Sequence, residues 1–389
     1  MTGKICIYII ISSKKKEVSQ LGKFKTFLKK KDIVFSGKRY GIDALSAMAQ
    51  GLFCTLLVGT ILNTIGQQFH IGFLNAIIVT LKNSAGEVIE YTIGGLASAM
   101  VGAGIAVAIG NALHCPPLVL FSLIPVGFAS NAMGGSGGPL AVFFVAIVAA
   151  ECGKLVSKET KVDILVTPIV TILAGIGISA LIAAPIGKAA SAVGTAIMWA
   201  TELHPLLMGI IVSVVVGIAL TLPISSAAIC ASLGLVGLAG GAAVAGCCAQ
   251  MVGFAVMSFR ENRWGGLVAQ GIGTSMLQMP NIIKNPKIWI PPTLASAITG
   301  PLATCVFKLQ MNGAPVSSGM GTCGFVGQIG VYTGWVNDVA TGAKAAITAM
   351  DWIGLGLICI VLPAILSLVF GWILRKWGWI KENDLKLDL

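Results

Sequence analysis

Charge is scarce in this sequence: only 11% of its 389 residues are Asp, Glu, Lys or Arg. Set against 56% hydrophobic residues and a mean hydropathy of +0.91, that scarcity excludes a water-soluble fold, which would have too little polar surface. The ten cysteines contain no CxxC pair, and Cys247 and Cys248 are adjacent rather than spaced around a metal. They read as free thiols packed in helices, and no metal or cofactor is expected. No GxxxxGK[ST] phosphate loop occurs either, which excludes a self-powered ATP pump. Aromatics are sparse at 7%, whereas glycine numbers 49. Small residues let backbones approach where lipid supplies no hydrophobic drive between helices.

What charge there is lies unevenly. Residues 1–40 carry ten lysines and Arg39 against Glu17 and Asp32, and so hold +9 of the formal +11. A basic segment ahead of the first crossing predicts a cytoplasmic N-terminus. Nucleic-acid binding is not expected, since no aromatic platform accompanies the lysines. The apolar run Ile5–Ile11 is too short for a signal peptide and no small-residue cleavage site follows, so the start reads as an irregular cytoplasmic extension.

A crossing helix needs about 20 apolar residues. Runs of that kind predict an all-α polytopic membrane protein of eight to ten transmembrane helices, with interfacial helices, re-entrant hairpins and a possible internal repeat. The expected segments are 44–65 outward, 66–90 as an interfacial helix and turn, then 91–112, 116–132 and 139–153. These end on the basic cluster Lys154, Lys158 and Lys161. Residues 163–184 leave again, 186–203 form a less hydrophobic segment, and 205–222 return. A hairpin is expected over 227–239 and 242–259, and a re-entrant one over 264–283, because Arg260, Arg263, Lys284 and Lys287 mark both its ends as cytoplasmic. Residues 288–307 and 351–374 complete the set, and the C-terminus is cytoplasmic. Gly110, Ala112, Leu113 and Pro116 recur 107 residues later as Gly217, Ala219, Leu220 and Pro223, which suggests the repeat. Three parts result: a basic N-terminal segment (1–40), a transmembrane domain (41–378) and a cytoplasmic C-terminal tail (379–389).

Non-helical backbone survives at membrane depth only where protein buries it or where it lines a watery cavity. Four interruptions therefore mark the expected substrate path: Met133–Pro139 (MGGSGGP), Leu222–Ala228 (LPISSAA), Gln278–Pro292 and Gly313–Gly327.

Four stretches of the second half resemble enzyme IIC, the membrane subunit of sugar phosphotransferase systems, most closely the fructose type. LHPLLMG (203–209) looks like the family's HPxxMG helix start. LPISSAA stands where the family has GGPxNKAA. Pro280, Asn285-Pro286 and Pro291 reproduce the spacing of TEGAIPF, DP and the following proline, and GAPVSS (313–318) stands where the family has APHGG. The whole chain is nearest a type-two enzyme IIC branch that includes perfringolysin-regulator-like membrane proteins. The resemblance implies a carbohydrate substrate, separate enzyme IIA and IIB phosphoryl carriers, a homodimer and the inner (cytoplasmic) cell membrane. The chain departs from the pattern at Met276, where the family has a glutamate, and at Val316, where it has a histidine. No self-contained catalytic or phosphoryl-carrier site is present, so the chain is at most the permease part of a phosphotransferase.

Ser225, Ser226, Gln278, Asn281, Asn285, Ser317 and His204 are the candidate substrate-binding residues, as neutral hydrogen-bonding groups at interruptions. Each has a plainer role open to it. The serines can bond their own helix carbonyls, the asparagines can cap broken helices, and His204 can simply start a helix. Glu151 beside Lys154 reads as a helix-end residue facing headgroups. Met276 and Val316 leave open a transport-deficient membrane regulator or sensor of enzyme IIC descent. A secondary transporter is a weaker alternative, because the acids fall mostly at helix ends.

Overall fold

The structure, a computed structural model, describes residues 25–82 and 88–387. Residues 1–24, which hold most of the expected irregular extension, lie outside the described part.

The chain is built almost wholly of helices. Helix α1 (Arg39–Gln68) is followed by a two-stranded antiparallel hairpin, β1 (Val79–Lys82) and β2 (Val88–Tyr91). Then come α2 (Ile93–Ala99), α3 (Val101–Ala112), α4 (Pro117–Gly134), α5 (Gly138–Val156) and α6 (Asp163–Thr201). The second half comprises α7 (Pro205–Thr221), α8 (Ser226–Ser232), α9 (Gly237–Met257), α10 (Phe259–Val268) and α11 (Met279–Lys284). It ends with α12 (Ile290–Pro301, continued by a wider turn over Leu302–Val306), α13 (Val326–Ala340) and α14 (Ala349–Lys376).

Among the described residues, five helical stretches are long and apolar enough to cross a membrane: 39–68, 117–156, 163–201, 237–257 and 349–376. The pair α2 and α3, bent by 54° at Met100, makes a sixth. Residues 117–156 are a hairpin rather than one rod. Gly135 takes φ +52° and ψ −125°, which only glycine adopts freely, and α4 and α5 fold back against each other and against α6. Pro205–Thr221 and Ile290–Val306 are shorter than the length that marks the five, and the remaining expected crossings fall on them.

Several segments differ from the sequence expectation, among them α13, a helix of 15 residues where none was expected. Residues 163–203 do not divide into two segments: α6 runs through Pro185 for 39 residues, roughly 58 Å. The proline removes one backbone donor, and the α4–α5 turn packs just beyond it, where a Cβ on Gly187 would lie 2.6 Å from the Gly134 carbonyl oxygen. Residues 227–259 are not two comparable spans, because α8 has only seven residues and α9 continues through Gly240-Gly241. That pair serves close packing, not a turn, since a Cβ on Gly241 would lie 1.8 Å from the Leu309 carbonyl oxygen. Residues 66–90 hold a four-residue helix, Gly72–Asn75, and then the β-hairpin, which was not expected; the alternation in VTLK was its sequence signal. The ends of α3 and α7 match locally, as the 107-residue spacing suggests, but a full-length helix follows one and a seven-residue helix the other.

Small residues set the core of the second half. Helices α7, α9 and α12 pack in a triple contact at Ser213, Gly246 and Ser296, where the Ser213 hydroxyl donates to the Ser296 carbonyl at 2.8 Å. The Ser296 hydroxyl donates to the carbonyls of Pro292 at 2.9 Å and Gly246 at 3.3 Å. Apolar side chains from α1, α3, α5, α7 and α9 form one large buried cluster, and a smaller one surrounds Val244, Ala303, Trp335 and Cys359.

Candidate functional site

The interrupted segments meet. At the α4–α5 turn, the Ser136 carbonyl accepts the Ser225 backbone N–H at 3.0 Å, which joins MGGSGGP to LPISSAA. Pro223 has no N–H to continue α7, and the chain turns sharply there, with the Ile224 N–H donating to the Leu222 carbonyl. Ser225 then caps α8 by accepting from Ala228 N–H at 3.2 Å. The buried Ser226 hydroxyl donates to the Gly319 carbonyl at 2.7 Å and so ties this turn to the third interruption. Gly319 touches it so closely that a Cβ there would lie 2.5 Å from the Ser226 carbonyl oxygen.

The third interruption consists of 3-10 turns over Pro315–Gly319 and Cys323–Phe325, with Gly321, Gly324 and Phe325 all at positive φ. Ser318 anchors it through a 2.7 Å bond to the Leu235 carbonyl. The re-entrant segment reaches the same region from the other side, where Ser275 and Thr221 share a 2.8 Å hydroxyl contact.

Of the seven candidate residues, Ser225, Ser226 and Ser317 come together here. Ser317 is buried beside Gly330. His204 does not belong to the group: it is exposed ahead of Pro205, makes no side-chain cap, and stands at the opposite end of α7, roughly 25 Å from the Leu222 turn. Its plainer role as a helix-start residue is the one the structure supports.

Gln278, Asn281 and Asn285 form a second group. The re-entrant segment is broken as expected: α10 is interrupted at Arg263 (φ 51°), short turns follow over Ala269–Gly273 and Ser275–Gln278, and residues 273–282 are buried. Both of its ends lie on one face. Arg375 pairs with Glu261 at 2.8 Å near one end, and Asn285 Nδ2 donates to the Trp379 carbonyl at 2.9 Å at the other. The three amides point at residues 379–387, not into a cavity. Gln278 Nε2 donates to the Leu385 carbonyl and to Gln270 Oε1, each at 2.9 Å. Asn281 Nδ2 donates to the Lys386 carbonyl at 2.8 Å and to Gln278 Oε1 at 2.9 Å.

Ser136, Thr221, Asn262, Gln270 and Ser275 were not singled out from the sequence. Ser136 lies inside an interruption that was, but the partner residues of a hydrogen bond across 89 positions carry no local signal. Met276 is buried in the large apolar cluster and Val316 is half-buried, so the position of the family's acid is here part of the core.

Most of the described charged residues collect on the face where the re-entrant segment begins and ends, while Lys308, Asp338, Lys344 and Asp351 lie at the other end of α14. Lys31 donates to the Ser157 carbonyl and pairs with Glu159, and Lys154 Nζ donates to the carbonyls of Asp32 (2.8 Å) and Leu113 (3.0 Å). Arg39 grips Asp32 through both oxygens, and the Asp32 carboxyl is held down to about 2, chiefly by that bond. Glu151 is more than a free helix-end residue. It is largely buried, pairs with Lys154 at 3.2 Å and accepts from the Tyr40 hydroxyl at 2.9 Å, because the buried ammonium needs a counter-charge. Tyr40 and Glu151 line a groove together with Phe35 and Ile283 of α11, which places these residues on the same side as Arg375 and Lys287.

The family model described as "Phosphotransferase system, EIIC" matches residues 42–387. The chain therefore belongs to this family, the membrane permease subunits of sugar phosphotransferase systems. No curated protein and no solved structure matches it.

Proposed function

We propose, from the premise that the chain belongs to the phosphotransferase-system EIIC family, that it carries a carbohydrate across the inner (cytoplasmic) membrane and hands it to separate EIIA and EIIB phosphoryl-carrier proteins. The observation that carries the reading is the meeting of three interruptions, through Ser225–Ser136 and Ser226–Gly319, beside the Thr221–Ser275 contact. Broken backbone of this kind, shielded by helices, is where transporters build a central site. Its groups are neutral hydroxyls, carbonyls and amide N–H groups, which suit a neutral polyhydroxylated solute rather than an ion. Ser225 and Ser317 are the hydroxyls proposed to meet substrate, and Ser226 the tie that must release for the turns to separate.

The basic residues that share one face support a cytoplasmic placement for that face, and with it for both ends of the chain. A homodimer is proposed as the working unit, with cross-linking of intact membranes as its check.

The test is sugar phosphorylation by inverted vesicles holding the chain, supplied with phosphoenolpyruvate and purified carriers, across a panel of sugars and polyols. A phosphorylated sugar that Ser225→Val abolishes supports the reading. Uptake and binding that remain absent for every compound would sink it, and uptake that an uncoupler stops but phosphoenolpyruvate does not affect would favour ion coupling instead.

A further inference from the structure

The amides expected to meet substrate are occupied by the chain itself. After α14 the segment 379–387 folds back across the re-entrant segment, with Leu385 fully buried and Ile380 nearly so. Its hydrogen bonds to the protein run mostly through its backbone, beside the buried side chains of Ile380 and Leu385. The Leu385 carbonyl accepts from Gln278 Nε2 at 2.9 Å and from Asn262 Nδ2 at 2.7 Å, and the Leu387 N–H donates to Asn262 Oδ1 at 2.8 Å. The Lys386 carbonyl takes Asn281, and Asn285 reaches both the Trp379 carbonyl and Asp384 Oδ2, at 2.9 and 2.8 Å.

Behind these contacts the amides form a ladder into the protein. Asn281 donates to Gln278, Gln278 to Gln270, and Gln270 to the Ser258 hydroxyl at 2.8 Å and the Gly266 carbonyl at 2.9 Å. Each NH2 group has two hydrogens, and in Gln278 and Asn281 one goes to the ladder and the other to segment 379–387. Were that segment to leave, these two N–H groups would lose their acceptors together, at the mouth of the hairpin whose other turn holds Ser275 against Thr221.

We propose that residues 379–387 are a displaceable inner plug, an intramolecular competitor that fills the Gln278, Asn281 and Asn285 donors and closes the path from the Thr221–Ser275 contact to the basic face. The inference rests on the transport reading for one step only, in which substrate hydroxyls take the donors that the departing plug vacates. A backbone carbonyl and a sugar hydroxyl present the same acceptor to a carboxamide, so the exchange needs no rearrangement of the ladder. No ion pair between described side chains ties the segment to the hairpin; apart from the Asn285–Asp384 carboxylate bond and the Lys287 ammonium over the Trp379 ring, its polar contacts are neutral hydrogen bonds, which exchange at small net cost.

The test weakens the clasp without touching the donors. Asn262→Ala removes two of the bonds to the segment, and Leu385→Asp removes its buried anchor. Two neutral hydrogen bonds correspond to on the order of thirtyfold in the open population. In Asn262→Ala, amide exchange at 380–387 should rise by about that factor, and in Leu385→Asp by at least as much, while α9 amides keep their protection in both. A Ser275→Cys reporter, quantified by mass spectrometry after treatment of inverted vesicles with a membrane-impermeant maleimide, should react correspondingly faster. In the unmodified protein, residues 380–387 should already exchange far faster than α9.

Unchanged labelling of the Ser275→Cys reporter in a variant whose segment exchanges faster would overturn the plug. So would protection of 380–387 in the unmodified protein equal to that of α9, a result that does not depend on either variant folding. Neither readout uses a sugar. A failed search for a transported sugar therefore leaves this result intact, and unchanged labelling leaves the carbohydrate reading intact.

Discussion

Replacing Gly246 with alanine should loosen the second half of the bundle, and the structure sets the scale of the effect. A Cβ at Gly246 would lie 1.9 Å from the Ser213 carbonyl oxygen, 2.5 Å from its carbon and 2.6 Å from Ser213 Cα. All three are backbone atoms, so no side-chain rotation relieves the contact. Reaching ordinary van der Waals separation requires α7 and α9 to part by more than 1 Å, roughly the gap between 1.9 Å and an ordinary contact. The movement would also strain the Ser213–Ser296 and Ser296–Gly246 bonds, which fix α12 in the same joint. Overpacking of this kind costs about 1–3 kcal/mol, with the upper end expected because backbone must yield. The assay is the thermal unfolding midpoint of purified protein in detergent, with Gly265→Ala as the control, because a Cβ there meets nothing within 4 Å. If Gly246→Ala melts with the wild type while remaining monodisperse, the argument that close glycine contacts hold these helices together is wrong.

Gly135→Ala should destabilise by about 1–3 kcal/mol through backbone strain alone, since φ +52° with ψ −125° excludes a Cβ although the space is empty; unfolding midpoints check this. Lys154→Met should cost about 3–5 kcal/mol by leaving Glu151 without its cation and the Asp32 carbonyl without a donor, whereas the Leu113 carbonyl keeps its bond from Arg39; Lys154→Arg should cost less on the same assay. The Asp32 carboxyl, lowered from 3.8 to about 2, contributes stability that is present above pH 3.8 and is lost as the pH falls towards 2; Asp32→Asn should flatten the unfolding midpoint across that window. His204→Ala should leave sugar phosphorylation unchanged, because the side chain stands a helix length away from the converging turns.

Much of this fold was legible because membrane helices advertise themselves through composition. Helices α4, α5, α7 and α14 start and stop within a few residues of their expected bounds, where Pro117, Pro205 and the Thr348–Asp351 capping box mark the starts. Glycine and proline were less informative, since both have two uses. Gly240-Gly241 resembles a turn signal, but here it lets the backbone at Leu309 lie against a continuous helix, and Pro185 resembles a break inside a helix that the α4–α5 tip braces. Local sequence cannot separate these cases, because the deciding neighbour lies 68 residues away in one and 51 in the other.

The same limit shaped the site. Interruptions were visible as interruptions, and three of the four indeed meet through Ser136, Ser225, Ser226 and Gly319. What a polar side chain at an interruption faces was not visible. Gln278, Asn281 and Asn285 have the chemistry to bind hydroxyls, and that chemistry serves equally to bind backbone carbonyls of residues 379–387. Residue type fixes the kind of partner an amide accepts but not which partner arrives first, and a segment tethered to the protein has the advantage of high effective concentration. A free solute must compete against that tethered segment, so at these three positions the measured sugar affinity should depend on the segment's own opening equilibrium as well as on the fit of the sugar.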